Sequence, residues 1–141
     1  MKSVSEILTD ELLEYFRSEH LTIIGARNVS GLPPPANLQN DGFGDQQGKQ
    51  PDVLAFDEAR HRYVIGVIKT EDDDLESLHS LTQYDVFFDH RNKENGIASQ
   101  VCFLLPPHLI PEFTAIITHY IHRDYWGNMT LLRSRHSDPV L

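Results

Sequence analysis

The stretch QPDVLAFDEARHRYVIGVIKTEDDD, residues 50–74, holds two apolar runs separated by a short polar segment. Residues 51–57 and residues 62–69 are both rich in Val, Ile and aromatic side chains, which favour strands. The EARH segment between them is short enough for a tight connection, so the two runs are expected to pair as a hairpin. The acidic and polar residues 70–74 are typical of a turn followed by the start of a helix.

The chain before this hairpin predicts a helix, a strand and a long loop. In residues 3–20 apolar side chains recur at helical spacing, and Ser3 or Ser5 could cap the start of the helix. The recurring side chains are Val4, Ile7, Leu8, Leu12, Tyr15 and Phe16. The segment LTIIGA, residues 21–26, predicts a short strand. Residues 28–50 include three consecutive prolines and four glycines, which indicates a long irregular loop that is either functional or disordered.

The chain after the hairpin alternates between helices and strands. A second helix is expected at about residues 75–90, with five side chains facing inward: Leu75, Leu78, Leu81, Phe87 and Phe88. Residues 99–106 predict a strand buried on both faces, residues 111–125 a third helix, and residues 128–134 a last strand. This order predicts an α/β fold with a central mixed sheet that is covered by helices on both faces.

Length and charge limit the classes of function. A chain of 141 residues fits one domain, predicted to span residues 1–141. The formal net charge is −9, and residues 51–90 hold ten acidic side chains against three Lys or Arg. A protein that grips nucleic acid along its whole surface is usually basic, because neutralising phosphates supplies most of the binding. The charge therefore argues against DNA as a partner.

Location and cysteine chemistry follow from the same composition. No apolar run approaches the roughly 18–20 residues that span a bilayer, and the start MKSVSEILTDE lacks the apolar core of a signal peptide. A cytoplasmic protein without a membrane partner is therefore predicted. The single Cys102 excludes an internal disulfide and a zinc site of several cysteines in this sequence. Its apolar context, VCFLL, predicts a small core residue.

The order of elements, the pair Pro51-Asp52, the hairpin and Lys69 together resemble the PD-(D/E)XK superfamily of restriction-endonuclease-like folds. Small members such as the Holliday-junction resolvases are the most similar, and the resemblance in architecture covers nearly the whole chain. It implies phosphodiester hydrolysis with Mg²⁺ or Mn²⁺, which stabilises developing charge and acidifies a water. By this resemblance Asp52 would bind the metal, and Lys69 would orient or help to deprotonate the attacking water.

Val67 departs from the family pattern. Residues 67 and 69 share one face of a strand, and the pattern places an acid two residues before the lysine. A shift by one residue supplies no acid, because the neighbours are Ile65, Gly66 and Ile68. Loss of even a supporting partner of a metal ligand typically costs about 10–100-fold in affinity or activity. A site without one of its carboxylates should therefore bind Mg²⁺ poorly.

Two acids are candidates for the missing carboxylate. At about 100° per residue, Glu11 falls within the arc of the apolar stripe of the first helix and points toward the sheet. By the resemblance, in which the first helix often supplies an acid, Glu11 would be a metal ligand and a catalytic residue; the alternative is a glutamate that reaches water from the stripe's edge. Glu71 shares the face of Lys69 only if the strand continues that far. Gln83, followed four residues later by Phe87, partly resembles a glutamine–tyrosine pair of some exonuclease relatives.

Three functions stay open from the sequence. The first is a degenerate nuclease-like domain that no longer cuts nucleic acid and serves as an interaction or structural module, with a homodimer as one form of it. The second is a Mg²⁺-dependent DNA endonuclease that uses Asp52, Glu11 and Lys69. The third is a small-ligand or protein-binding domain that uses the loop of residues 28–50. Val67 and the acidic net charge favour the first.

Overall fold

The computed structural model describes residues 3–39 and 48–135. Within these ranges the chain forms three α-helices, a five-stranded sheet and a separate two-stranded sheet. The helices are α1 (Val4–Ser18), α2 (Leu78–Asp89) and α3 (Ile110–Tyr120). The strands are β1 (Thr22–Ala26), β2 (Leu38–Gln39), β3 (Gly48–Lys49), β4 (Val53–Asp57), β5 (Arg62–Ile68), β6 (Gln100–Leu105) and β7 (Met129–Arg133).

The large sheet has the strand order β1-β4-β5-β6-β7. The pairs β1–β4 and β4–β5 are antiparallel, whereas β5–β6 and β6–β7 are parallel. The hairpin predicted from residues 50–74 is the β4–β5 pair, in which Val53 lies opposite Gly66. The predicted α/β fold with a mixed sheet is therefore confirmed, although such a sheet does not by itself identify a restriction-endonuclease-like core.

The two faces of the sheet carry separate apolar clusters. The face under α1 is built from Val53, Ala55, Val64 and Leu104, packed with Leu8, Leu12 and Phe16 of the helix. The opposite face is built from Leu54, Ile65, Val67, Val101 and Phe103, packed with Tyr84, Phe87, Phe113 and Ile117 of α2 and α3. Neighbouring strand residues point to opposite faces, which is why both clusters draw on the same strands. Cys102 is buried under α1, as predicted for a core residue.

The helix ends depend on serine caps and correct one detail of the prediction. Ser3 caps α1, since its Oγ accepts a hydrogen bond from the Glu6 backbone N–H at 3.1 Å. Ser77 caps α2 in the same way, so that the helix begins three residues later than predicted. Leu78 was expected to face inward, but 82% of it is exposed. Leu75 precedes the cap, and its spacing to Leu78 therefore does not trace one helical face.

The third helix and the long loop also differ from their predicted limits. The helix ends at Tyr120, and a short 3-10 helix, Arg123–Asn128, follows it. The loop of residues 28–50 is not irregular throughout, because β2 and β3 pair antiparallel within it. Residues 40–47 of this loop lie outside the described residues. The segment before β2 is tied to the sheet edge, where the Ala26 backbone N–H donates to the Pro33 carbonyl at 2.9 Å.

Gly66 sets the distance between α1 and the sheet. A Cβ atom at this position would lie 2.7 Å from Cδ2 of Leu12 and 3.2 Å from Cζ of Phe16. The helix therefore rests directly on the backbone of β5, which only glycine permits. None of the helices in residues 3–39 and 48–135 has the length and apolar character needed to cross a membrane.

Candidate functional site

Asp52 lies just before β4, beside the end of β5. Its Oδ2 accepts a hydrogen bond from the Ile68 backbone N–H at 2.8 Å, and its Oδ1 lies 3.6 Å from Nη1 of Arg27. Burial raises the pKa of Asp52 and outweighs the hydrogen bond from Ile68 and the positive charges of Arg27 and Lys69, which act to lower it. Asp52 is therefore a poorly hydrated carboxylate with a guanidinium beside it.

Lys69 follows β5 directly and is held by α2. Only 3% of the residue is exposed. Its Nζ donates hydrogen bonds to Oε1 of Gln83 at 2.8 Å and to Oγ of Ser80 at 3.2 Å, and it lies 5.5 Å from the centre of the Tyr84 ring. Burial lowers the pKa of Lys69, and the charges of Asp73 and Asp52 oppose this effect.

The predicted residues Lys69 and Gln83 are thus brought into direct contact, and Asp52 shares their electrostatic environment. Ser80 was not anticipated from the sequence. The signal was present, because Ser80 lies three residues before Gln83 and so shares its side of α2. These contacts assemble an aspartate, a lysine and two neutral acceptors near one end of β5.

Val67 belongs to the apolar cluster beneath α2 and α3 and is 1% exposed. A carboxylate in this place would lose its hydration without gaining polar partners from that cluster. The position at which the family pattern has an acid is therefore part of the hydrophobic core.

Glu11 has a different set of partners from Asp52 and Lys69. Its Oε1 accepts from Oγ of Ser134 at 2.8 Å, and its Oε2 accepts from the Arg135 backbone N–H at 2.9 Å. Among the described residues, Glu11 makes no hydrogen bond or ion pair with either Asp52 or Lys69. Its carboxylate joins α1 to the segment after β7 at the far edge of the sheet. Its role as a metal ligand and catalytic residue stays a prediction.

Glu71 pairs with a histidine and not with the lysine. Its carboxylate oxygen Oε1 is 2.8 Å from Nε2 of His108, and both side chains are exposed. The strand β5 ends at Ile68, before Glu71, so the condition under which it would share the face of Lys69 is not met.

A cleft of about 420 Å³ opens beside Asp52, and we call it the Asp52 cleft. It is lined by Ser5, Glu6, Thr9 and Asp10 of α1, by Arg27, Asn28, Val29 and Ser30, which follow β1, and by Asp52. Ala26 pairs with Val53 across the antiparallel strands, so the next residues outward, Arg27 and Asp52, are neighbours. Lys69 is not among the lining residues, since its amine contacts α2.

The residues around Asp52 fit a divalent cation poorly. Mg²⁺ is usually held by one or two carboxylates with several waters, and a guanidinium close to the first carboxylate opposes a second positive charge. Arg27 occupies this position, and Val67 supplies no oxygen. In residues 3–39 and 48–135, no group of three or more His, Cys, Asp or Glu side chains is arranged to hold a metal ion.

Three residues that the sequence pattern singled out lie near one end of β5: Asp52, Lys69 and Gln83. Searches of the chain against protein-family models, curated proteins and solved structures found no match.

Proposed function

We propose that this chain is a binding module that does not cleave nucleic acid, in which the residues of a nuclease-like motif make structural contacts. The observation that carries the proposal is the burial of the Lys69 amine between Gln83 and Ser80 of α2. A side chain that activates a water must come within about 2.6–3.2 Å of it. Internal acceptors already take two of the three N–H donors of this amine, and only 3% of the residue is exposed.

Two further features support a site that works without metal. Arg27 supplies a positive charge beside Asp52, which is the charge that a bound cation would otherwise provide. The Ile68 backbone N–H occupies Oδ2 of the same carboxylate. With Val67 in the core, Asp52 has no second carboxylate on the neighbouring strand.

The test is a calorimetric titration of wild type and Asp52→Ala with Mn²⁺, together with cleavage of plasmid and branched DNA by the same samples. We expect no binding that depends on Asp52, and no cutting. Binding and cutting that both disappear in Asp52→Ala, with cutting also lost in Lys69→Ala, would establish the alternative, a Mg²⁺-dependent endonuclease.

The endonuclease alternative makes a separate demand on Glu11. If Glu11 supplied the second acid, Glu11→Gln would abolish cutting, whereas Glu14→Gln would not. Glu14 is a matched control because it lies on the same helix and also contacts Arg135, through Nη2 at 3.1 Å. The binding-module proposal expects neither variant to change the absence of cutting.

Restoring an acid at position 67 tests where the motif lies. A glutamate there would place a second carboxylate on the strand beside Asp52, and a ligand that binds only the folded state raises its stability. Because Val67 lies in the apolar cluster and Arg27 stands beside Asp52, we expect Mn²⁺ to raise the unfolding temperature of neither Val67→Glu nor Val67→Gln, which buries a side chain of similar shape. A rise in Val67→Glu alone would support the metal site of the endonuclease alternative.

A second candidate function is small-ligand or protein binding through the loop of residues 28–50. The observation that favours it is the contribution of Asn28, Val29 and Ser30, at the start of this loop, to the Asp52 cleft. Protection of residues 28–39 from hydrogen exchange on addition of a ligand would support it. A homodimer and a cytoplasmic location stay predictions from the sequence, and so does the argument from net charge against DNA as a partner.

A further inference from the structure

The Asp52 cleft presents two opposite charges that only partly satisfy each other. Nη1 of Arg27 and Oδ1 of Asp52 are 3.6 Å apart, which is longer than a hydrogen bond. Among the described residues, neither atom has a closer polar side-chain partner. A guanidinium offers five N–H donors in a fixed fork. The side chain of Arg27 lines the cleft and is 47% exposed, so a ligand in the cleft can reach it.

A positive and a negative group side by side favour a ligand that carries a negative and a positive group in the matching places. An α-amino acid carries a carboxylate and an ammonium on one carbon, so its carboxylate can meet Arg27 while its ammonium meets Oδ1 of Asp52. The resulting arrangement alternates in sign around a closed ring of four charges. Such contacts are stronger than neutral hydrogen bonds, and a guanidinium binds a carboxylate in a bidentate manner.

The charge and size of the cleft narrow the class of ligand. Among the described lining residues, Glu6 of α1 adds a second carboxylate to that of Asp52. A ligand with a second cationic group therefore complements it better than a neutral amino acid. A volume of about 420 Å³ lies within the range of roughly 300–1,000 Å³ that small-molecule sites occupy.

We propose that the Asp52 cleft binds a basic α-amino acid, with the α-carboxylate on Arg27, the α-ammonium on Asp52 and the side-chain cation toward Glu6 of α1. This inference rests on the proposed function in one respect, namely that Asp52 is not engaged with a metal ion. Asp52 contributes through Oδ1, since Oδ2 is held by Ile68.

The experiment is a calorimetric titration of the full chain with L-lysine, in EDTA and at low salt. Cadaverine, which lacks the carboxylate, and L-norleucine, which lacks the side-chain cation, are the comparison ligands. We expect L-lysine to bind at least about tenfold more tightly than either, because each lost charged contact removes roughly one factor of ten or more. Cadaverine that binds as well as L-lysine, or no L-lysine binding up to about 10 mM, would overturn the proposal.

Variants locate the binding on the same cleft. Asp52→Asn keeps an acceptor for the Ile68 N–H while it removes the charge, and Arg27→Gln removes the guanidinium. Each substitution should lower the affinity for L-lysine by at least about tenfold. Glu14→Gln and Arg17→Gln, whose side chains lie outside the cleft, should leave the affinity unchanged. Equal affinity in all four variants would reject the cleft as the site.

The two proposals can fail separately. Absence of L-lysine binding without any Mn²⁺-dependent cutting rejects the ligand and leaves the non-cleaving module. Asp52-dependent cutting rejects the non-cleaving module, whereas L-lysine binding in EDTA would still establish the ligand.

Discussion

Lys69 is held inside the protein by the partners that a buried ammonium requires. Oγ of Ser80 accepts from the amine and itself donates to the Asp74 carbonyl at 2.7 Å, so the serine links the lysine to the turn before α2. Gln83 provides the shorter of the two hydrogen bonds to Lys69, at 2.8 Å. Removing one acceptor leaves a buried charge less fully compensated, whereas removing the charge does not.

This asymmetry predicts the effects of two substitutions. We expect Gln83→Met to lower the free energy of unfolding by about 1–3 kcal/mol, because the buried ammonium loses an acceptor. Lys69→Met, which keeps the length of the side chain but removes its charge, should cost less than Gln83→Met. Urea denaturation at pH 7 measures both values. A larger loss in Lys69→Met would mean that the ammonium itself stabilises the fold.

The titration of Asp52 predicts a second effect. Burial raises the pKa of Asp52 above its ordinary value of 3.8 in the folded state. The folded protein therefore keeps this proton to higher pH than the unfolded chain, so the stabilisation is complete below pH 3.8 and is lost as pH rises through the folded pKa. Because Asn cannot ionise, wild type should lose stability relative to Asp52→Asn across that window.

Asp57 serves as the control of opposite sign. Burial acts to raise the pKa of Asp57, but hydrogen bonds from the Arg60 side chain and backbone, together with the charge of Arg60, lower it on balance. Wild type should therefore gain stability relative to Asp57→Asn as pH rises through the folded pKa toward 3.8. Thermal unfolding at a series of pH values measures both differences. The same slope for both aspartates would contradict the assigned causes.

The site could be predicted from the sequence only in part, for a physical reason that is visible at Arg27. Asp52, Lys69 and Gln83 lie on or beside the elements that the apolar pattern predicted. Arg27 approaches Asp52 because β1 pairs with β4, and pairing between distant strands leaves no periodic signal in the chain. The helical pattern indicated that Glu11 lies on the inward arc of α1. It did not indicate that the carboxylate would reach Ser134 at the end of β7.

At the level of elements, the contact between α1 and β5 depends on the absence of a side chain at Gly66. Leu12, Phe16 and Val53 surround the position at which a Cβ would stand, at 2.7–3.2 Å. The closest of these atoms belongs to a leucine that is fully buried under the sheet, so it has little room to move.

We therefore expect Gly66→Ala to lower the free energy of unfolding by about 1–3 kcal/mol, through overpacking between α1 and β5. Gly127→Ala is the matched control, since no atom of the described residues, apart from its chain neighbours and its own helix, lies within 4 Å of a Cβ at that position. Its effect should stay within about 0.5 kcal/mol. Chemical denaturation of both variants makes the comparison, and equal losses would mean that α1 is not seated on β5 at this glycine.

The elements themselves were largely predictable, because their signals are local. The period of the apolar residues identified α1, and the paired apolar runs identified β4 and β5. The prediction that Leu78 faces inward was wrong because the N-cap Ser77 lies between Leu75 and the helix. The sequence spacing of Leu75 and Leu78 fits one helical face, but only Leu78 belongs to the helix. Local periodicity therefore predicted the existence of α2 better than its first residue.

At the level of the whole molecule, Glu11 joins the first helix to the chain beyond the last strand. The side chain of Glu11 is 14% exposed, and it accepts hydrogen bonds from Ser134 and from the Arg135 backbone. The side chain of Glu14 is 67% exposed, and its carboxylate has one polar partner among the described residues, the guanidinium of Arg135. Among the described strands, β7 lies at the edge of the sheet and pairs in parallel with β6 alone. The contacts of Glu11 therefore restrain the end of an edge strand.

Glu11→Ala should accordingly loosen this end of the sheet. We expect faster hydrogen exchange in residues 129–135 and a loss of about 1–3 kcal/mol in the free energy of unfolding, because the hydrogen bonds from Ser134 and from the Arg135 backbone to Glu11 are lost. Glu14→Ala, which removes an exposed ion pair, should change the free energy by less than about 1 kcal/mol and leave the exchange rates unaltered. Mass spectrometry of exchanged peptides measures the first effect and urea denaturation the second. Unchanged exchange in Glu11→Ala would mean that its carboxylate is not needed for the fold, and would return Glu11 to consideration as the acid of a metal site.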